Sequence, residues 1–179
     1  PIETGEVMVA RANAHVSYPC RFALVAAANP CRCGYMYDPS QACARVPNCG
    51  EEYLSRISGP LMDRMDLRLE VPPVAFQDLD LPADGESSAT VAARVAKAIA
   101  LQHQRYKDIN GVRTNADVQG QALEEIAAPD QEGREILLAA AEKLKLTARG
   151  YHRILRLART IADLEQTSTV SAPHIAEAL

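Results

Sequence analysis

Hydrophobic and polar positions along the chain follow two different periods, and the change between them divides it. Near the start the period is two. Val7–Arg11 and His15–Tyr18 are strand-like and flank Ala12-Asn13-Ala14, which predicts a β-hairpin. A short unbroken apolar run, Phe22 to Ala28, predicts a third, buried strand. It ends on the polar Asn29 and on Pro30, which has no N–H to give to a central strand. Glu51–Ile57 reads as one or two helical turns, and Ser58-Gly-Pro60 as a breaker that starts a second short helix. That helix has Leu61, Met62 and Met65 on its apolar side and Asp63 and Arg64 exposed. Leu67, Leu69 and Val71 alternate with Arg68 and Glu70, predicting a half-buried strand closed by Pro72-Pro73.

Beyond the middle the pattern turns helical. Ser87 or Ser88 can cap a helix to about Tyr106, with Val91, Val95, Ala98, Ile99 and Tyr106 as its apolar stripe. A loop over Asn110–Gly120 precedes a short helix at Gln121–Ala127. Another helix covers Glu132–Lys145 with Leu137, Ala140, Ala141 and Leu144 inward. Thr147 caps a strong helix to about Glu165, with Leu146 and Tyr151 placed as a hydrophobic staple. Ser171 caps the last helix, and Pro173 sits in its first turn. Short connections between amphipathic helices imply a small bundle. Residues 74–86 are acidic, contain Pro82 and Gly85 and lack periodicity, so they read as a linker. The expected organisation is an α/β unit at 1–73, a linker at 74–86 and a helical unit at 87–179.

In the Thr147-capped helix, at about 100° per residue, Tyr151, Ile154, Leu155, Ala158, Ile161 and Ala162 share one side. Arg149, His152, Arg153, Arg156 and Arg159 are expected on the other, as a solvated basic face or an anion site. Arginines at a helix start oppose the macrodipole, a conflict that a bound phosphate would relieve. On the hairpin, Arg11, Asn13 and His15 are exposed polar groups able to meet phosphate, or simply solvated.

Composition narrows these readings. The chain has 179 residues, 47% of them hydrophobic, enough for one domain or two small ones. With no Trp and few aromatics the core must be built from Leu, Val, Ile and Ala. A net charge of −4 excludes a strongly basic nucleic-acid domain by bulk charge, though not a local basic face. No apolar run is long enough for a membrane span and no signal peptide is present, so a cytoplasmic protein without membrane partners is expected. Pro1 opens directly on a strand-like segment and Leu179 stops within a helical pattern, so the chain reads as a piece of a longer protein.

Four of the five cysteines, Cys31, Cys33, Cys43 and Cys49, fall in one loop as C-x-C-x9-C-x5-C. Such a loop cannot build its own core, and a tetrahedral Zn2+ held by four thiolates would replace one. The alternative is a loop of reduced, unliganded thiols. Cys20 has no cysteine partner nearby and reads as a small buried apolar residue.

Taken together, the chain resembles the magnesium-chelatase-like AAA+ ATPases, most closely the ComM/YifB competence-related group. The resemblance rests on Gly5-Glu-Val, Arg11-Ala-Asn13, Leu24-Val-Ala-Ala-Ala-Asn-Pro-Cys-x-Cys-Gly34, Ile57-Ser-Gly-Pro-Leu-Met-Asp-Arg-Met-Asp66, Glu86-Ser-Ser-Ala-Thr-Val91, Ala148-Arg-Gly-Tyr-His-Arg-Ile-Leu-Arg156 and Thr160-Ile-Ala-Asp-Leu-Glu165. The order of motifs also resembles the second half of the minichromosome-maintenance helicase motor. The fold it implies is the back half of an AAA+ core, with its hairpin and Cys-rich loop, followed by an α-helical lid.

The resemblance also implies roles. Asn29 matches sensor 1, an amide that orients the attacking water. Arg64 matches the arginine finger, which reaches a neighbouring subunit's nucleotide. Arg149 matches sensor 2 in the lid, with Arg153 beside it as a second nucleotide-binding residue. Arg11 and His15 on the hairpin would face DNA, contacting phosphate without reading sequence. Without the surrounding motifs, Asn29 would be taken as a strand-end cap and Arg64 as a surface partner of Asp63 or Asp66. ATP and Mg2+ are implied for the intact protein, as are a hexameric ring and a DNA-translocating activity of the natural-transformation type.

Two features depart from the pattern. No G-x-x-x-x-G-K-[ST] loop and no apolar run ending in Asp-Glu occurs, so this stretch alone is expected neither to bind nucleotide tightly nor to hydrolyse it. Many relatives place their last two cysteines as C-x-C, whereas Arg45 stands two after Cys43 here. The rival readings are a chelatase-type motor driving metal into a porphyrin, and a zinc-stapled DNA- or protein-binding module.

Overall fold

Residues Glu6–Arg11 (β1) and Ala14–Pro19 (β2) pair antiparallel in the register Val7↔Tyr18, Val9↔Val16, Arg11↔Ala14. The two-residue loop Ala12-Asn13 turns the chain, and the Cys20 N–H closes the open end by donating to the Gly5 carbonyl at 2.7 Å. Directly paired residues share a face. One face of the hairpin therefore carries Val7, Val9, Arg11, Ala14, Val16 and Tyr18, and the other Met8, Ala10, His15 and Ser17.

The computed structural model describes residues 4–38, 40–74 and 85–179. Within it the chain forms two units, divided between Met65 and Asp66. Most of the linker expected at 74–86 lies outside the described residues.

Two expected strands do not form among the described residues. Phe22–Ala28 forms no strand, and Phe22 and Val25 are 54% and 93% exposed. Leu67–Val71 likewise forms none and is exposed. An apolar run records a capacity for burial, but a strand also needs neighbours for its N–H and C=O groups. The sheet among the described residues contains β1 and β2 alone. Cys20, expected to be buried, is half-buried. The remaining elements of this unit are two short helices, Asn48–Leu54 (α1) and Gly59–Met62 (α2). Gly50 lets α1 approach the segment at Pro30. A Cβ there would stand 3.2 Å from the Pro30 carbonyl oxygen and 2.5 Å from the Met36 sulfur.

The second unit is helical: Ser88–Tyr106 (α3), Gly120–Ile126 (α4), Gln131–Leu144 (α5), Ala148–Leu164 (α6) and Ala172–Ala178 (α7), with a 3₁₀ turn at Asn115–Asp117. Local chemistry sets each boundary. The Ser87 hydroxyl accepts from the Thr90 N–H at 3.1 Å, the Asp130 carboxylate from Gly133 at 2.7 Å and the Thr147 hydroxyl from Gly150 at 3.0 Å. Ser171 and His174 form a reciprocal cap at α7. Lys145, at φ 50°, ends α5 in the left-handed region, and the Leu146 N–H returns to the Ala141 carbonyl.

Helix α6 is the centre, packing against α3, α4 and α7, while α5 packs against α7. Its stripe Ile154, Leu155, Ala158 and Ala162 is buried with Leu123, Leu137, Val170 and Ile175, and the two alanines let neighbours approach closely. Full burial of each Leu or Ile contributes about 1.5–3 kcal/mol. Leu146 and Tyr151, the staple residues, pack against this core. Four expected inward positions differ: Val91, Val95 and Ile99 on α3 are 36–41% exposed and Leu144 faces solvent, while Ala98 and Tyr106 of the expected α3 stripe are buried, joined by Gln102. No helix among the described residues is long and apolar enough to cross a membrane.

Candidate functional site

Helix α2 is a single turn placed by its cap. The Ser58 hydroxyl accepts from the Leu61 N–H at 3.4 Å, and Pro60 occupies the first turn, where its missing N–H costs nothing. The turn that follows carries Arg64. Its side chain is half-buried, and its Nη1 donates to the Pro60 carbonyl at 2.6 Å. The guanidinium is thus held against the helix that precedes it.

Asn29 is exposed at the end of the Phe22–Ala28 run. Two residues on, the chain enters a thiol cluster. Cys31 is fully buried, Cys49 on α1 is 7% exposed and Cys33 is half-buried. Their three sulfur atoms lie within 4.8 Å of one another, with Cys31 and Cys33 3.1 Å apart. Cys43 stands outside that tight set yet bears on it. The Cys31 thiol, then the Tyr35 and Cys43 backbone N–H groups, bring the Cys33 thiol down to about 6. Burial, then the Cys43 and Cys31 sulfurs, push the Cys49 thiol up to about 12. Hydrogen bonds thus favour charge on Cys33, while burial first and the neighbouring sulfurs second favour the neutral form of Cys49.

On the hairpin, Arg11 and His15 are both exposed near the tip, but the register puts them on opposite faces. Arg11 projects from the valine face and His15 from the face of Met8 and Ser17, so one flat ligand cannot meet both in the same way.

In the helical unit, Arg149 is exposed in the first turn of α6, and Arg153 is half-buried one turn later. Spacings of four and seven put Arg149, Arg153 and Arg156 on one face. The Arg156 Nε is buried without a hydrogen-bond partner among the described residues. That orphaned donor on a cation is a feature the sequence pattern did not single out.

Arg159 corrects the expected basic face, because it is buried. Its Nε donates to Asp163 Oδ1 at 3.1 Å, and its terminal nitrogens donate to the Thr167 and Ser168 carbonyls at 2.5 and 2.6 Å. Asp163 is fully buried and also accepts from both terminal nitrogens of Arg105 and from Asn115 Nδ2 at 2.9 Å. The Tyr106 hydroxyl donates to Asn115 at 2.6 Å. Burial alone would raise the Asp163 carboxyl; the hydrogen bonds from Arg105 and Asn115, with the charges of Arg159 and Arg105, outweigh it and hold the group below its ordinary value. Burial in turn lowers Arg159. A signal for this network was present: Arg159 and Asp163 are four apart on one helix. Arg105 and Asn115 come from distant sequence and gave none.

Comparison with known families follows the same two-part division. Residues 1–79 match the family described as magnesium chelatase, subunit ChlI, and residues 85–179 match magnesium chelatase, subunit ChlI C-terminal. Across its whole length the chain is 39% identical to the competence protein ComM of Haemophilus influenzae. It is 37% identical to the uncharacterised protein YifB of Salmonella typhimurium and 36% to YifB of Escherichia coli. It spans about a third of the length of these relatives, 34% in each case. On these matches the chain belongs to the magnesium chelatase ChlI family, in the group that contains ComM and YifB.

Proposed function

We propose that this chain is the nucleotide-responding part of an AAA+ ring motor that moves on DNA in natural transformation. The observation that carries this reading is the placement of Arg64, on a capped turn with its guanidinium braced by the Pro60 carbonyl. It stands within a likeness, across this chain's whole length, to about a third of a protein named for competence. An arginine that must cross to a neighbouring subunit needs a rigid base, because transition-state stabilisation depends on donors already in position.

The remaining roles follow. Asn29, exposed where the apolar run ends, is the amide that orients water. Arg149 and Arg153 share an α6 face with the orphaned Arg156 donor, and this donor set fits a polyphosphate. ATP with Mg2+, when bound, supplies the phosphoryl group whose hydrolysis drives the motor. This chain contributes the residues that respond to it, and the phosphate loop comes from elsewhere in the intact protein. The hairpin presents Arg11 and His15 on its two faces, which suits a backbone contact rather than base reading. Phe22–Ala28 and Leu67–Val71, apolar and unpaired here, are strands of a larger sheet in the full-length ring, which is a homo-oligomer and, in this reading, a hexamer.

The test is ATP turnover by the full-length protein with and without DNA. DNA-stimulated turnover is expected, and turnover indifferent to DNA refutes the translocase. A second reading has one observation in its favour, since both matching families are named for magnesium chelatase. It predicts ATP-dependent insertion of metal into a porphyrin by the full-length protein with its partner subunits.

A further inference from the structure

The first unit has almost no core. Among its described residues, 4–38 and 40–65, the buried ones are Cys31, Cys49 and Gly50. Its large apolar side chains point outward: Met8, Tyr18, Phe22, Val25 and Tyr37 are each more than half exposed. What this unit buries is a pair of sulfur atoms with a glycine beside them. The Gly50 close approach to Pro30 brings α1 to the Cys31 segment. The packing thus gathers thiols, where an unaided fold would gather hydrocarbon.

Three sulfurs that share one neighbourhood exceed what a disulfide uses. A bond between Cys31 and Cys33 would leave Cys49 over and would not tie α1 to anything. A tetrahedral Zn2+ with Zn–S of about 2.3 Å sets its sulfurs about 3.8 Å apart, and the three thiols lie within 4.8 Å of one another. We propose that Cys31, Cys33 and Cys49 bind a structural zinc ion, with Cys43 from the intervening loop as the fourth thiolate. On binding, each thiol gives its proton to solvent and its sulfur lone pair to the metal, with no change of oxidation state. The ion fastens the segment two residues past Asn29 to α1 and serves as the core that this unit lacks. This inference does not depend on the motor reading, since a non-motor binding module would need the same staple.

The experiment uses the 179-residue chain purified in reductant without chelator. Metal analysis is expected to give one zinc per chain. Replacement by Co2+ should give the intense visible absorption of a tetrahedral thiolate site, and X-ray absorption at the zinc edge should count four sulfurs. Cys31→Ser and Cys49→Ser should lose the metal, Cys43→Ser should leave a three-sulfur site of weaker affinity, and Cys20→Ser should retain full occupancy. Where a variant fails to fold, the metal content and cobalt spectrum of the unmodified chain decide. Zinc-free reduced protein, a Cys31–Cys33 disulfide in its place, or iron with inorganic sulfide overturns the proposal. Cys43→Ser with unchanged affinity and four sulfurs overturns the ligand set.

Discussion

Asp163→Ala removes the buried carboxylate that, among the described residues, sits at the centre of the helical unit. Asp163 is fully buried and Arg159 is 2% exposed. The substitution leaves Arg159 with the Thr167 and Ser168 carbonyls but no counter-charge. Asn115 Nδ2 keeps only the Thr160 hydroxyl. Arg105, about a quarter exposed, can turn to water. Breaking a buried ion pair from one side costs about 3–5 kcal/mol, and the hydration open to Arg105 places this case near 3. Set against the 5–15 kcal/mol that holds a typical domain together, roughly a third is at stake. The assay is urea unfolding of the full chain followed by helical circular dichroism. In an Arg159→Met background the same change should cost at least about 1 kcal/mol less, because the stranded cation is gone. A loss under about 1 kcal/mol in the single variant would mean that Asp163 is not what makes the buried Arg159 tolerable. The pH dependence has a definite sign. The folded state holds the Asp163 carboxyl below its ordinary value of 3.8, so its contribution is complete above about pH 4 and is lost as pH falls through the lowered value. Asp163→Asn should flatten that acid limb.

Other outcomes are expected at the caps and the hairpin. Thr147→Ala removes the acceptor for the Gly150 N–H and should cost about 1 kcal/mol by the same unfolding assay. Lys145→Gly relieves a left-handed residue at φ 50° and should stabilise by about 0.5–1 kcal/mol. In the full-length protein, Arg11→Ala should weaken DNA binding across all sequences and reduce the salt slope by about one. Since His15 lies on the opposite face, its alanine variant should add to that effect independently.

The helical unit was legible because its information is local. Ser87, Thr147, Ser171 and Pro173 mark helix starts by what their own atoms can bond, and the α6 stripe follows from period alone. Arg159 was misplaced because it lies at the edge of that stripe, where only the fully buried Asp163 makes burying a cation tolerable. The first unit was legible only where pairing is local, in β1 and β2. Phe22–Ala28 has the composition of a buried strand, but what covers a strand lies beyond its own sequence. Among the candidate residues, the clustering of Cys31, Cys33 and Cys49 followed the crowding of cysteines in the chain. The opposite-face placement of Arg11 and His15 depended on a register that hairpin prediction did not extend to.

In the proposed motor, Arg64 acts on a nucleotide held by a neighbouring subunit. That role is measured by DNA-stimulated ATP turnover of the full-length Arg64→Ala protein, in a preparation shown by light scattering to assemble as the unmodified protein does. Loss of an arginine finger should lower turnover by about a thousandfold or more while ATP still binds. An assembled Arg64→Ala ring that turns over ATP at the unmodified rate rules out an arginine finger at Arg64.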